Sequence, residues 1–255
     1  MPFLAREKLE RLAGPVPVGC VWLGLGSATA AEITSLSGAR MAVIDGEHGE
    51  ATALRMPDIL RGLAVGGCAS LVRVGDLSHG TVKRALDAGA DGILFPQIES
   101  AEAARAAASS ALFPPAGTRG LGVVRAAGFG TQADYKTAWN DRALVAVQIE
   151  SVAGLTAVNR IAEVGTVDML FFGPYDYAAS AGLDPAADTD VLVAVLAEIV
   201  EAAHEHGKIA GVFPWPGADI ASLAAAGADL VAIASDVRAI ADTVAAATAA
   251  LEATR

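Results

Sequence analysis

A (β/α)8 TIM barrel, an α/β fold formed by a single domain over residues 1–255, is what this sequence predicts. Three observations lead there: eight short apolar runs separated by Ala-rich stretches, a Gly-containing punctuation that recurs before the runs, and a length of 255 residues, which suits one such barrel. The apolar runs are 19–23, 41–44, 70–72, 92–95, 144–149, 169–172, 209–212 and 230–233. Eight is the number of strands a closed parallel barrel requires. Runs this apolar fit strands covered on both faces.

Helices are expected in the stretches 30–36, 80–88, 101–109, 152–163, 191–206 and 219–226, where apolar residues recur at helical spacing. The punctuation is Ser37-Gly-Ala-Arg40, Ala88-Gly-Ala-Asp91, Val164-Gly-Thr-Val-Asp168 and Ala226-Gly-Ala-Asp229. A glycine there permits the left-handed turn that ends a helix before the next strand. Residues 113–142 depart from this rhythm, since Pro115, Gly128 and Gly130 argue against one continuous helix. Long irregular insertions are usually functional, so this one is expected over the active rim or in a subunit interface.

Composition narrows the function. Apolar residues make up 53% of the chain, enough for a substantial core, and the net charge of −11 argues against non-specific nucleic-acid binding. No apolar stretch approaches the ~20 residues of a membrane span. The N-terminal Met-Pro-Phe-Leu-Ala-Arg-Glu-Lys-Leu-Glu-Arg is charged and lacks a signal-peptide core, which suggests a cytoplasmic protein. Cys20 and Cys68 read as buried thiols, without zinc-site spacing.

In a parallel barrel the active site forms at the C-terminal ends of the strands. The polar groups there are Asp45, Glu47 and His48 after the second run, Arg73 after the third, Gln97 after the fourth, Gln148 and Glu150 at the fifth, and Tyr175 and Asp176 after Gly173-Pro174 at the sixth. Glu150 and Asp176 repel each other unless a proton or a cation lies between them. Oxygen ligands with no His or Cys in step suit Mg²⁺ or Mn²⁺ better than zinc. The competing reading makes Asp176 a helix cap and Glu150 a solvated acid. Arg73 ends an apolar strand and must find an anion. That anion is either a ligand carboxylate or a rim acid such as Asp45 or Glu47.

His48 is the histidine beside a strand end, suited to a general base near neutral pH. Alone, a rim histidine is more often structural. Asp87, on a helix, reaches His48 only from a neighbouring subunit or through a loop. Trp22, Phe213 and Trp215 either line a pocket or simply pack. The string Gly117-Thr-Arg-Gly-Leu-Gly122 lacks the Lys-Ser/Thr of a P-loop and reads as a flexible loop. Lys83, Lys136 and Lys208 lie off the strand ends, which disfavours an imine mechanism.

Trp22-Leu-Gly-Leu-Gly-Ser27, Ile44-Asp-Gly-Glu-His48, Leu71-Val-Arg73, Phe113-Pro-Pro-Ala-Gly-Thr-Arg-Gly-Leu-Gly122, Val147-Gln-Ile-Glu150 and Phe172-Gly-Pro-Tyr-Asp176 occur in order along nearly the whole chain. Together they resemble the metal-dependent HpcH/HpaI aldolases, the hydroxy-oxo-acid or 2-keto-3-deoxy acid aldolases. The resemblance implies reversible cleavage of a 4-hydroxy-2-oxo acid to pyruvate or hydroxypyruvate plus an aldehyde, through a metal-stabilised enolate. It implies Glu150 and Asp176 as ligands of a divalent cation (Mg²⁺ or Mn²⁺, with Co²⁺ also possible). Arg73, Gln148 and the backbone around Gly173 and Pro174 would hold the oxo acid, and His48 would move a proton with Asp87 as its partner. It also implies a homohexamer, a trimer of dimers, with the C-terminal helix exchanged between subunits. The chain departs from the family at Tyr175-Asp176-Tyr177, Phe213, Glu50 and a shortened 119–129 loop. Tyr175 and Phe213 imply a tighter aldehyde pocket if they point inward. The rivals are a CoA-thioester lyase related to the citrate lyase β subunit, which wants a basic surface, and a non-catalytic keto-acid-binding barrel, which needs no proton-transfer group.

Overall fold

All eight apolar runs form strands: β1 (Val18–Leu23), β2 (Met41–Asp45), β3 (Ala69–Arg73), β4 (Gly92–Phe95), β5 (Leu144–Ile149), β6 (Met169–Phe172), β7 (Ile209–Val212) and β8 (Leu230–Ser235). The computed structural model describes residues 17–254; the charged N-terminal segment lies outside them. Each strand pairs in parallel with the next, and β8 pairs with β1 to close the barrel. Asp45 and Arg73 belong to the strands rather than following them, and they are register partners across β2 and β3.

Strand side chains alternate between faces. In this barrel one set, including Cys20, Val43, Leu71, Leu94, Ala146, Phe171 and Ala232, fills the interior. Space there is tight: a Cβ on Gly211 would stand 2.5 Å from the Phe171 ring. Both cysteines are buried, Cys68 Sγ donates to Ala69 O at 3.5 Å, and burial pushes the Cys20 thiol up to about 12, so it stays protonated. The alternation continues upward. One or two steps beyond the core layer, the same parity places Trp22, Asp45, Arg73, Gln148, Glu150, Gly173 and Phe213 at the C-terminal mouth.

The opposite strand face packs against helices, including α1 (Ala28–Leu36), α2 (Met56–Val65), α3 (His79–Asp87), α4 (Ala101–Ala111), α5 (Tyr135–Arg142), α6 (Val152–Thr156), α7 (Val158–Ala162), α8 (Pro174–Ala181), α9 (Thr189–Glu205) and α10 (Ile220–Ala225). Ser27, Ser78, Ser100, Ser151 and Asp219 cap helices by accepting from a backbone N–H three residues on. Gly38, Gly89 and Gly227 take the expected left-handed turn, whereas Gly165 does not. The stretch 152–163 divides at Ala157, whose N–H bonds both Ala153 O and Gly154 O. The helices α2, α5 and α8 are additional to those the periodicity predicts, and α2 and α8 start alike. Each carries a proline in its first turn, where the missing N–H costs no helical bond.

The insertion is not over the active rim. It leaves the end of α4 and returns to the start of β5, so it lies at the opposite, N-terminal rim. Nor is its Gly117–Gly122 string a free loop: Thr118 N–H donates to Ser109 O and Arg119 N–H to Leu112 O. The Arg119 guanidinium is fully buried against the rings of Phe113, Tyr135 and Trp139. No helix among the described residues is long and apolar enough to cross a membrane.

Candidate active site

Trp22, His48, Arg73, Gln148, Gly173, Pro174, Tyr175, Asp176 and Phe213 border one cavity of about 350 Å³ at the C-terminal rim. Asp45 completes its wall. Tyr175 and Phe213 do turn toward it, with ring centroids 6.2 Å apart, and Phe213 meets Trp22 edge-on at 5.1 Å. Trp215 does not line the cavity; it packs behind β6 against Phe172.

Asp45 organises the mouth. It is buried and accepts from Arg73 Nε at 3.1 Å, Arg73 Nη2 at 2.6 Å, Trp22 Nε1 at 3.1 Å, and the N–H groups of Glu47 and His48 at 3.0 Å each. Burial pushes its carboxyl up, but the hydrogen bonds and charge of Arg73 outweigh that and hold it below its ordinary value. Arg73 therefore has the internal partner that its sequence left as one of two options. Its Nη1 also lies 2.9 Å from Glu47, and its guanidinium carbon sits 5.0 Å from the Trp22 ring centroid. Asp45 takes two of the five guanidinium N–H groups, so the fork is fixed in place and still has donors for a ligand.

His48 is largely exposed, with 69% of its side chain accessible, and its Nε2 lies 4.0 Å from Glu47 Oε2. Burial raises Glu47 above its ordinary carboxyl value, with Arg73 and His48 opposing that shift. The structure does not bring Asp87 to His48 within one chain. Asp87 ends α3, five residues before β4 begins, so it lies at the N-terminal rim, where it accepts from Arg119 Nη2 at 3.1 Å.

Glu150 follows β5 and is buried. Its Oε1 accepts from the Gln97 N–H at 2.7 Å, while Oε2 is buried without a hydrogen-bond partner. Gln148 Oε1 is likewise buried and unpartnered. Gly173 makes this arrangement possible, because a Cβ there would stand 2.6 Å from Gln148 Nε2 and 2.8 Å from Glu150 Oε2. Burial first, and then the charges of Asp176 and Glu47, push the Glu150 carboxyl up to about 7. Asp176 is exposed in the first turn of α8, where the helix dipole favours negative charge.

An unpartnered buried carboxylate oxygen is costly. The charge of Asp176 acts on it, and the acidic oxygens of Glu150 and Asp176 are donors of the type that fits a hard divalent cation. Among the described residues no three His, Cys, Asp or Glu side chains converge as a ligand group.

A closed parallel barrel with acids, arginine and histidine gathered at its C-terminal mouth is a barrel enzyme, and sequence comparison makes it a carbon–carbon lyase of the aldolase type. The chain belongs to the HpcH/HpaI aldolase/citrate lyase family, whose profile matches residues 19–243. It is 40% identical over 236 residues to a hydroxypyruvate/pyruvate aldolase of Paraburkholderia phytofirmans, covering 89% of this chain and 90% of that one. It is 37% identical over 244 residues to a hydroxypyruvate/pyruvate aldolase of Agrobacterium fabrum, covering 93% and 90%. A crystal structure of a HpcH/HpaI aldolase/citrate lyase family protein from Burkholderia cenocepacia superposes with a TM-score of 0.89 at 34% identity, covering 97% of this chain and 100% of that one.

Sequence reasoning named most of the cavity wall. It placed Asp45 and Glu47 only as possible partners of Arg73, although period-2 parity puts Asp45 on the inner face. It had no signal for the Gln97 N–H, a backbone group.

Proposed function

We propose that this aldolase is divalent-metal-dependent and cleaves 4-hydroxy-2-oxo acids reversibly to pyruvate or hydroxypyruvate plus an aldehyde. The observation that carries this reading is the buried, unpartnered Glu150 Oε2, within the field of Asp176, which lines the mouth together with Arg73 and His48. Glu150 and Asp176 would hold Mg²⁺, Mn²⁺ or Co²⁺. Such a cation supplies Lewis-acid stabilisation of negative charge on the 2-oxo oxygen.

The remaining steps fall to the chain itself. Arg73, held by Asp45, donates its free N–H groups to the oxo-acid end of the substrate. Gln148 and the backbone at Gly173 and Pro174 orient that end. His48 takes the proton of the C4 hydroxyl as the C3–C4 bond breaks, the electron pair moves onto C3 to leave the enolate of the oxo-acid fragment, and C3 then takes up a proton, returned from His48 or from water, to give pyruvate or hydroxypyruvate. In the reverse direction His48 returns the proton. Asp87 would assist His48 only from a neighbouring subunit. Trp22, Tyr175 and Phe213 enclose the aldehyde end with aromatic surface.

The test is adduct formation from pyruvate and an aldehyde with Mg²⁺ or Mn²⁺, with and without chelator. Chelator-insensitive turnover would overturn the metal mechanism. His48→Ala is expected to lower turnover by about 10²–10⁴-fold while Mn²⁺ affinity, measured by titration calorimetry, stays unchanged. A paired loss of affinity would place His48 in the metal site instead. A CoA-thioester lyase is less favoured, because it wants a basic surface for the nucleotide and the chain carries a net charge of −11.

The proposal extends to assembly. The last helix, α11 (Asp236–Glu252), buries none of its residues and exposes Val237, Ile240 and Val244. On the outer face of β1 and β8 a groove of about 660 Å³ is lined by Val21, Ile33 and Ile233 among others. Exchange of α11 between subunits of a hexamer would cover both surfaces. Sedimentation of the full chain as a hexamer, and of an Ile240→Asp/Val244→Asp variant as a smaller species, is expected. A monomeric wild type would refute the exchange.

A further inference from the structure

Gln97 is one of two non-glycine residues among those described that have positive φ, at 54°. A side chain with a Cβ rarely adopts this conformation, because it crowds the backbone. The residue is exposed, so no burial of its side chain offsets the cost. What the turn achieves lies in the backbone. Along a strand, successive N–H groups point to opposite sides. After β4 two successive N–H groups both face the end of β5: Gln97 N–H donates to Glu150 Oε1 at 2.7 Å and Ile98 N–H to Gln148 O at 3.3 Å. The left-handed residue breaks the alternation and makes both contacts possible. Glu99 then accepts from Ser151 Oγ at 2.7 Å, fastening the loop one residue beyond Glu150.

We infer that Gln97 is a positioning residue: its left-handed backbone locks Glu150 through Oε1, so that Oε2 is the oxygen presented to a cation. This rests on the proposed role of Glu150 as a metal ligand. The lock matters because Glu150 has several side-chain rotamers, and with Oε1 held, Oε2 is the oxygen left beside Gly173, where a Cβ would stand 2.8 Å from it. Fixing the other in advance removes an ordering cost from metal binding.

The test is calorimetric titration of the full-length protein with Mn²⁺ alone, with thermal unfolding of each variant measured in parallel. Gln97→Gly keeps the N–H and removes the steric cost. Gln97→Val keeps the N–H but disfavours the left-handed turn that aims it. Mn²⁺ affinity is expected to fall roughly 10–100-fold in Gln97→Val and to stay within about threefold of wild type in Gln97→Gly. If Gln97→Val does not fold, Gln97→Ala takes its place, with a smaller loss in the same direction. Equal affinities for Gln97→Val or its Ala replacement and wild type would overturn the inference. So would an equal loss in Gln97→Gly, which would assign the effect to the side chain. If wild type and Glu150→Ala bind Mn²⁺ equally, or wild type binds none, the metal-ligand reading of Glu150 has failed instead.

Discussion

Glu150→Ala is expected to abolish Mn²⁺ binding and aldol turnover together, because it removes the one acid among the described residues with a buried, unpartnered carboxylate oxygen. Calorimetry and an adduct assay on the same preparation check this, and retained metal binding in the variant would sink the assignment. The metal-free protein carries a second signature. Glu150 is pushed from 4.5 up to about 7, chiefly by burial. Between those values the folded state keeps a proton that the unfolded state has released, so stability falls as pH rises through this window. The loss amounts to about 3 kcal/mol once pH exceeds the folded value. Glu150→Gln is therefore expected to raise the Tm of chelator-treated protein near pH 8 and to leave it almost unchanged near pH 4.5. Saturating Mn²⁺ is expected to stabilise the wild type alone, because a cation favours the charged carboxylate. A Glu150→Gln variant no more stable than wild type at the higher pH would contradict the burial argument.

Asp45→Ala is the second large effect. Asp45 and Arg73 are both nearly inaccessible, and removing one member of a buried ion pair leaves the other desolvated, at a cost of about 3–5 kcal/mol. Chemical denaturation is expected to show that loss. Turnover should also collapse, since Arg73 loses the fork-to-fork contact that aims it and Trp22 loses its acceptor. Glu47 remains to neutralise part of the charge. The double change Asp45→Leu/Arg73→Met removes both charges and is expected to be more stable than Asp45→Ala while remaining inactive. A stable, active Asp45→Ala would show that Arg73 needs no internal anchor.

Much of the site is legible in the sequence alone. Eight apolar runs and a two-residue alternation suffice to put Glu150, Gln148, Arg73, Gly173 and Phe213 at one mouth. The alternation reflects backbone geometry, which is the same in every strand. Asp176 and His48 lie in the short loops just past strand ends, where little chain separates them from the rim. The active-rim placement of residues 113–142 fails because composition marks irregularity without saying which rim the chain has reached. Direction along the barrel follows from the helix α4 that precedes it. The buried Arg119 cage was missed for a similar reason: its aromatic partners lie up to twenty residues away and meet it only through folding.

What local order dictates, this chain states openly: strand count, face, and the acids and bases at strand ends, all of which depend on spacings of a few residues. What depends on long-range approach had to come from the folded barrel. The partner of Arg73 was one of two options until β2 and β3 aligned Asp45 with it. The free oxygen of Glu150 was invisible until the Gln97 backbone, more than fifty residues earlier in the chain, claimed the other. Hydrogen-bond partnership is a matter of distance and direction in space, and linear spacing carries neither once the chain has crossed a helix.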